Sequence, residues 1–301
     1  MTVSTAGAVR TGSTLSGARQ LLADYVELTK PKVQSLLLLT TVTTMEVAGS
    51  PSVSKIVLTC VGGYLSAGGA GAVNHYFDRD IDARMRRTAS RPIPAGRMAP
   101  RSALIYGFAL AALSFVLLSL TVNLLAASLA LAGFGGYVGV YTVWLKRRTP
   151  QNIVIGGAAG AIPPLVGWAA VRGSLAWTAV YLFAIVFYWT PPHFWALSLL
   201  MKEEYEKVGV PMMPVVRGER ETRRQILLYT LLLYAVTQLP FCAGEFGGIY
   251  LVASMTLGWA FVGGAVWLYR RADRRAALRL YLFSLVYLAL LFGAMVADTK
   301  L

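Results

Sequence analysis

The chain has 301 residues, of which 56% are apolar and only 14% charged, too few polar side chains to clothe a soluble globule of this size. A membrane is its expected solvent, and the apolar residues gather into runs of about twenty, the length with which an α-helix crosses roughly 30 Å of hydrocarbon. The net charge of +14 sits in blocks between those runs, a distribution that speaks for membrane topology and against a nucleic-acid partner.

The expected fold class is all-α and polytopic, with about nine transmembrane helices around a central cavity and the N-terminus on the cytoplasmic side. Residues 1–24 are rich in Ser, Thr, Gly and Ala and lack the continuous apolar core of a cleaved signal, so they read as a disordered cytoplasmic tail. Residues 25–301 then form one membrane domain. Cys60 and Cys242 both fall inside apolar runs, where a thiol behaves as a small hydrophobe and points to neither a disulfide nor a metal site.

Nine spans can be drawn, at about 33–50, 55–77, 102–120, 122–144, 151–171, 174–201, 225–243, 247–269 and 280–297. Placing the N-terminus inside leaves 25 of the 28 Lys and Arg residues on the cytoplasmic side, with only Lys55, Arg172 and Lys300 outside. An asymmetry of that size favours this orientation, because basic residues flanking membrane helices accumulate in the cytoplasm. The exterior turns are short and nearly uncharged, whereas the segments after the second and sixth spans are long and carry both signs. Chemistry is therefore expected at the cytoplasmic mouth.

The second span ends in Asn74-His75-Tyr76-Phe77-Asp78-Arg79-Asp80-Ile81-Asp82. Asn74, Asp78 and Asp82 are spaced i, i+4, i+8 and line one helix face, while Asp80 points away. Carboxylates at a helix C-terminus and at a membrane edge need a compensating cation, and oxygen-only ligands suit Mg²⁺, which commonly bridges one or two carboxylates to substrate phosphates. Arg84, Arg86, Arg87, Arg91 and Arg97 follow and can grip such an anion. The bland alternative is an ordinary juxtamembrane cluster in which the acids pair with those arginines. The stiff run Arg91-Pro92-Ile93-Pro94 then reads as a shaped loop.

The fifth span begins after Lys146-Arg147-Arg148, of which Lys146 and Arg147 would flank a phosphate at the same mouth. It carries a small-residue run, Gly156 to Ala161, and Pro163-Pro164, which is expected to bend it. The sixth span contains Trp189-Thr190-Pro191-Pro192-His193-Phe194-Trp195, where paired prolines interrupt the hydrogen-bond ladder. His193 can orient a substrate, ligate an iron or move a proton, or it can be a core histidine satisfied by a nearby carbonyl. Glu203, Glu204 and Glu206 follow without a clean repeat of the first acidic pattern.

These residues resemble the intramembrane prenyltransferases of the UbiA superfamily. Asn74, Asp78 and Asp82 match its first Asp-rich motif, and Arg87, Arg91 and Pro92 the segment that follows; Thr29-Lys30-Pro31-Lys32 matches its entry signature, and Tyr141, Lys146, Arg147, Thr149 and Asn152 its middle motif. The stretches Trp189–Trp195 and Gly209-Val210-Pro211-Met212-Met213-Pro214 are similar to the haem O synthase branch, whereas the quinone-forming branches show a clear second Asp-rich motif.

The resemblance implies transfer of a farnesyl group from farnesyl diphosphate to a vinyl group of haem B, with Mg²⁺ as cofactor. Asp78, Asp82 and Asn74 would be catalytic, and Asp78, Asp82 and Glu204 the metal ligands. Glu204-Tyr205 stands where the family usually has Asp-Tyr. Lys30, Lys32, Arg87, Arg91, Tyr141, Lys146, Arg147, His193 and Tyr205 would bind substrate. The partners implied are the two substrates, membrane lipid and terminal oxidase assembly proteins, and the place is the bacterial plasma membrane or an equivalent inner membrane. A quinone-precursor prenyltransferase is the nearest rival, and a transporter with the same broken helices is the rival from another class.

Overall fold

The structure, a computed structural model, describes residues 12–301, with side chains from residue 17 onward, and every regular element among them is helical. Residues 1–11, part of the expected tail, lie outside the described residues. The rest of that expectation is corrected, because α1 (Gly12–Leu28) is a helix. Its composition alone does not demand one. Tertiary contacts supply the reason: Asp24, 2% exposed, accepts from Arg97 Nε at 3.0 Å, the Tyr25 ring meets Tyr106 at 4.8 Å, and Leu28 is buried with Ala72, Ile93, Met98 and Ala103.

The membrane helices follow as α2 (Pro31–Ala48), α3 (Val53–Phe77), then the short α4 (Arg79–Arg84), α5 (Pro100–Thr121) and α6 (Leu124–Gly135). A π-helical segment, Gly136–Leu145, continues α6 without a break. Next come α7 (Asn152–Gly160), α8 (Ile162–Arg172), α9 (Trp177–Leu200), the short α10 (Lys202–Lys207) and α11 (Met213–Val216), and finally α12 (Gly218–Cys242), α13 (Gly248–Arg271) and α14 (Arg274–Lys300).

Among the described residues seven stretches are long and apolar enough to cross a membrane: α3, α5, α6 with its continuation, α7 with α8, α12, α13 and α14. The chain is thus a multi-pass membrane protein. The first and sixth predicted spans coincide with α2 and α9, which fall outside that set. Lys32, Gln34, Glu46 and four threonines dilute α2, while Trp, Tyr, His193 and two prolines dilute α9. Apolarity therefore supports seven crossings and does not establish nine.

The two proline pairs behave differently. Pro163 and Pro164 sit in the first turn of α8, where missing N–H groups cost nothing, and the chain breaks between α7 and α8 at Ala161. Pro191 and Pro192 lie inside α9, which nevertheless runs on to Leu200.

The helices close into a ring, since α14 packs on α13, α9 and α2. The large apolar core joins α9, α12, α13 and α14, and a second one joins α2, α5, α6 and α8. In lipid, apolar side chains have little to gain from leaving the solvent, so close backbone approach and interhelical hydrogen bonds carry more of the association. Both occur where α3 crosses α5. A Cβ on Gly69 would fall 2.6 Å from the Gly107 carbonyl oxygen, and one on Gly107 would fall 2.7 Å from that of Gly69. Ser114 Oγ donates to the Gly62 carbonyl at 2.7 Å, and on the α6 side of α3 Ser66 Oγ donates to the Ala130 carbonyl at 2.8 Å. Gly107→Val is accordingly expected to lower stability by about 1–3 kcal/mol through overpacking against backbone, read as an earlier thermal unfolding transition in detergent, while the same change at Gly63, which faces open space, leaves it unmoved.

Candidate functional site

At one end of the bundle α3 stops at Phe77 and the chain turns through Asp78 into α4, yet Asp78 N–H still bonds the Asn74 carbonyl at 2.9 Å and Asp82 N–H the Asp78 carbonyl at 2.8 Å. Helical spacing survives the junction. Asn74, Asp78 and Asp82 are all buried, at 2%, 1% and 3% exposure. Asp80, on the opposite side, is exposed and grips Arg147 through both carboxylate oxygens at 2.8 and 2.6 Å. That forked pair holds the Asp80 carboxyl down to about 2 and raises the Arg147 guanidinium above its ordinary value.

Asn74 is the hub. Its Oδ1 accepts from Lys30 Nζ at 2.5 Å, and its Nδ2 donates to Asp78 Oδ2 at 2.8 Å and to Thr142 Oγ1 at 3.1 Å. Asp78 Oδ2 also accepts from Lys146 Nζ. Asn74 near the end of α3 and Asp78 just beyond it are four residues apart, and their partners Thr142 and Lys146 are four apart along the chain that leaves α6. The π winding adjusts that second row, for Lys146 N–H reaches back five residues to the Tyr141 carbonyl at 2.9 Å. Asp82 pairs with Arg91, whose Nη1 lies 2.7 Å from its Oδ2.

Lys30 enters from the turn between α1 and α2. Its φ of 54° is a left-handed conformation that a side-chain-bearing residue adopts only when its surroundings enforce it. Thr29 supplies the enforcement, bonding Tyr64 through its hydroxyl at 2.8 Å and Gln34 Nε2 through its carbonyl at 3.0 Å. Gly71 leaves the room, since a Cβ there would touch the Leu28 carbonyl and the Lys30 stem. Burial first, and the charge of Arg91 second, lower the Lys30 ammonium to about 7.

The second half-site faces the first across an apolar seam in which Ile81 and Met85 join Val208, Val210, Met212 and Met213 in one core. Arg84 Nη2 also reaches the Val208 carbonyl at 3.5 Å. Tyr205 is held above its ordinary value by burial, and the charges of Lys146, Arg87, Asp78 and Glu204 all act on it. Two carboxylate oxygens in this region, Asp78 Oδ1 and Glu204 Oε2, are buried without a partner. Such orphans are costly unless a cation or bound water completes them. Among the described residues no three His, Cys, Asp or Glu side chains gather into a metal cluster, so a cation here would lean on one or two carboxylates and on ligand oxygens.

The predicted residues thus divide. Lys30, Asn74, Asp78 and Lys146 form one connected set, the Asp82–Arg91 pair adjoins it through the backbone bond from Asp82 to Asp78, Tyr141 packs beside it against Gly156, and Tyr205 and Glu204 face it. Lys32 and Arg87 are exposed and make no ion pair among the described residues, and Arg147 is spent on Asp80. His193 sits apart on α9, 6% exposed, its ring stacked between Trp189 at 4.2 Å and Tyr281 at 4.8 Å. Two residues escaped sequence reading. Thr142 looked like any threonine in an apolar span. His75 is 1% exposed with both ring nitrogens unpartnered, and Lys30, Arg91 and Lys146 act on it; its place directly after Asn74 was the available signal.

Removing one member of a buried pair strands the other. Lys146→Met is expected to destabilise the protein by about 3–5 kcal/mol, and Asp78→Asn on top of it to recover most of that loss, in a double-mutant cycle of thermal unfolding. Additive losses would show that Asp78 and Lys146 do not depend on each other.

Comparison with known proteins bears on this arrangement. The model of the UbiA prenyltransferase family matches residues 36–291. The chain is 55% identical over 282 residues to protoheme IX farnesyltransferase of Chloroflexus aurantiacus, covering 93% of this chain and 48% of that protein. It is 56% identical over 283 residues to protoheme IX farnesyltransferase of Symbiobacterium thermophilum, covering 93% and 95%. The chain therefore spans about half the length of some of the curated relatives it matches and nearly all of others. Its fold is shared with a UbiA homologue from Archaeoglobus fulgidus bound to DMAPP and Mg²⁺, at a TM-score of 0.65 and 15% identity over 90% of this chain and 99% of that one.

Proposed function

The chain belongs to the UbiA prenyltransferase family, and from that membership and the geometry of its polar end we propose that it transfers a farnesyl group from farnesyl diphosphate to a vinyl group of haem B, giving haem O. The names of the relatives that match across almost their whole length support the acceptor. The observation that carries the reaction class is the gathering of Lys30, Lys146 and Arg91 around Asn74, Asp78 and Asp82, a buried end that offers both anion-binding cations and cation-binding carboxylates.

In this reading Lys30, Lys146 and Arg91 hold the diphosphate, Arg87 and Lys32 approach it from the exposed rim, and Tyr141 and Tyr205 line the ground beside it. Arg147 shapes the rim through Asp80. Mg²⁺ fits the donor set, because Asp78 Oδ1 and Glu204 Oε2 are buried oxygens with no partner among the described residues; one or two of the carboxylates of Asp78, Asp82 and Glu204 would hold it, and it would neutralise charge on the leaving diphosphate. The C1–O bond of the farnesyl chain breaks with its electron pair going to diphosphate, which the cations stabilise as charge develops. The vinyl π pair of haem B bonds to C1, water adds at the carbon left positive, and its proton passes to diphosphate. Helices of low polarity around the reacting carbons keep stray water from the allylic cation. α2 and α9 are proposed to cross as well, which with the charge asymmetry sets this end at the cytoplasmic face of the plasma membrane.

Purified protein given labelled farnesyl diphosphate and Mg²⁺ with haem B, or with a hydroxybenzoate, is expected to form haem O only. Asp78→Asn and Asp82→Asn each reduce the rate by about 10²–10³ with normal insertion. A prenylated hydroxybenzoate would overturn the acceptor, and wild-type rates in both variants would overturn the assignment of the acids.

Lys30 adds a pH signature. Its substrate-free value of about 7 rises when a diphosphate lies beside it, so binding takes up a proton. Affinity is then full below that value and falls above it, by at most about tenfold per pH unit for one proton. Calorimetry of pyrophosphate binding in buffers of different ionisation heat reads this uptake, and Lys30→Gln is expected to abolish it.

A further inference from the structure

His193 does not stand alone on α9. Its Nδ1 lies 2.7 Å from the hydroxyl of Ser284 on α14, and that hydroxyl in turn donates to the Tyr281 carbonyl at 2.6 Å. A serine has one hydroxyl hydrogen. With that hydrogen committed to Tyr281, the Ser284 oxygen meets His193 as an acceptor, and the proton of the contact belongs to Nδ1. In a neutral imidazole the lone pair then falls on Nε2.

The surroundings keep it there. Trp189 and Tyr281 cover the two ring faces at interplanar angles of 20° and 29°, and Phe194 meets the ring edge-on at 5.0 Å. Trp189 Nε1 donates to the Ser284 carbonyl at 2.8 Å, so Ser284 is tied to α9 through both its backbone and its side chain. Nε2 has no hydrogen-bond partner among the described residues, and it is not sealed inside protein as both nitrogens of His75 are. One nitrogen is fully occupied and the other is presented unbonded, in a ring that cannot turn. That is the arrangement a metal-ligating histidine needs, with its second ring nitrogen donating to a fixed acceptor.

We propose that Ser284 is a positioning residue for the tetrapyrrole substrate: by accepting Nδ1–H it presents Nε2 of His193 to the haem iron. The inference rests on haem B being the acceptor, as proposed above. A neutral hydroxyl polarises the imidazole less than a carboxylate would. The iron–nitrogen bond therefore stays exchangeable, which suits a haem that must leave after modification.

The test uses full-length purified protein in detergent with ferrous haem B, read by resonance Raman for the iron–histidine stretch and by optical titration for affinity. Wild type is expected to show the stretch and His193→Ala to lose it. Ser284→Ala lowers its frequency and weakens haem binding about tenfold. Ser284→Thr keeps the wild-type frequency, and Ser284→Cys, a weaker acceptor, gives a smaller shift in the same direction and serves if the alanine variant does not fold. A His193-dependent stretch unmoved in Ser284→Ala and Ser284→Cys would overturn the role of Ser284. Haem O production with no such stretch would overturn iron ligation while leaving the proposed reaction intact, and absence of haem binding would overturn both.

Discussion

The architecture depends on one buried polar junction, in which Asn74 joins Lys30, Thr142 and Asp78, and Asp78 joins Lys146. Charged groups at the edge of a membrane lose water and must be compensated locally, so each member of the junction constrains the others. The left-handed turn at Lys30, the end of α3 at Phe77 and the π winding before Lys146 are three backbone irregularities. All three deliver side chains to the same few ångströms. A regular bundle of straight helices would not bring these groups together.

Compensation is nevertheless incomplete. The Asp78 and Glu204 carboxylates each retain one buried oxygen without a partner, and His75 retains two nitrogens. An end that satisfied every polar atom internally would have nothing left for a ligand. This one holds its cations close to its carboxylates and leaves oxygens open on both half-sites, which sets it apart from an ordinary cluster of ion pairs and is what the proposed binding of a metal and an oxyanion requires. Asp80 and Arg147 illustrate the ordinary case, being exposed, mutually paired and spent.

The aromatic slot around His193 follows a different logic. There the polar demand is one imidazole nitrogen, met by one hydroxyl that a backbone carbonyl fixes in turn, with aromatic rings against the ring faces and its edge. It is there that the proposed tetrapyrrole acceptor would bind. The two proposed chemistries, oxyanion binding and macrocycle binding, would thus be carried by different helices and need not share a single side chain.

Much of this was legible in the sequence. Apolar runs of spanning length declare a membrane protein, because lipid tolerates only backbone that satisfies itself. The spacing of Asn74, Asp78 and Asp82 announces one face, since 3.6-residue periodicity is a local property that survives even the turn at Asp78. Other features are invisible locally because they depend on partners distant in the chain. α1 is helical where a tail was expected, since Asp24 meets Arg97 and Tyr25 meets Tyr106. Thr142 matters because the π segment turns it toward Asn74, and Arg147 leaves the central set because Asp80 captures it. Which nitrogen of His193 is free was decided by Ser284, 91 residues away. Composition and periodicity determined the solvent, the helices and the acidic face; long-range hydrogen bonds and ion pairs, formed only when the helices close into a ring, decided which of those residues meet.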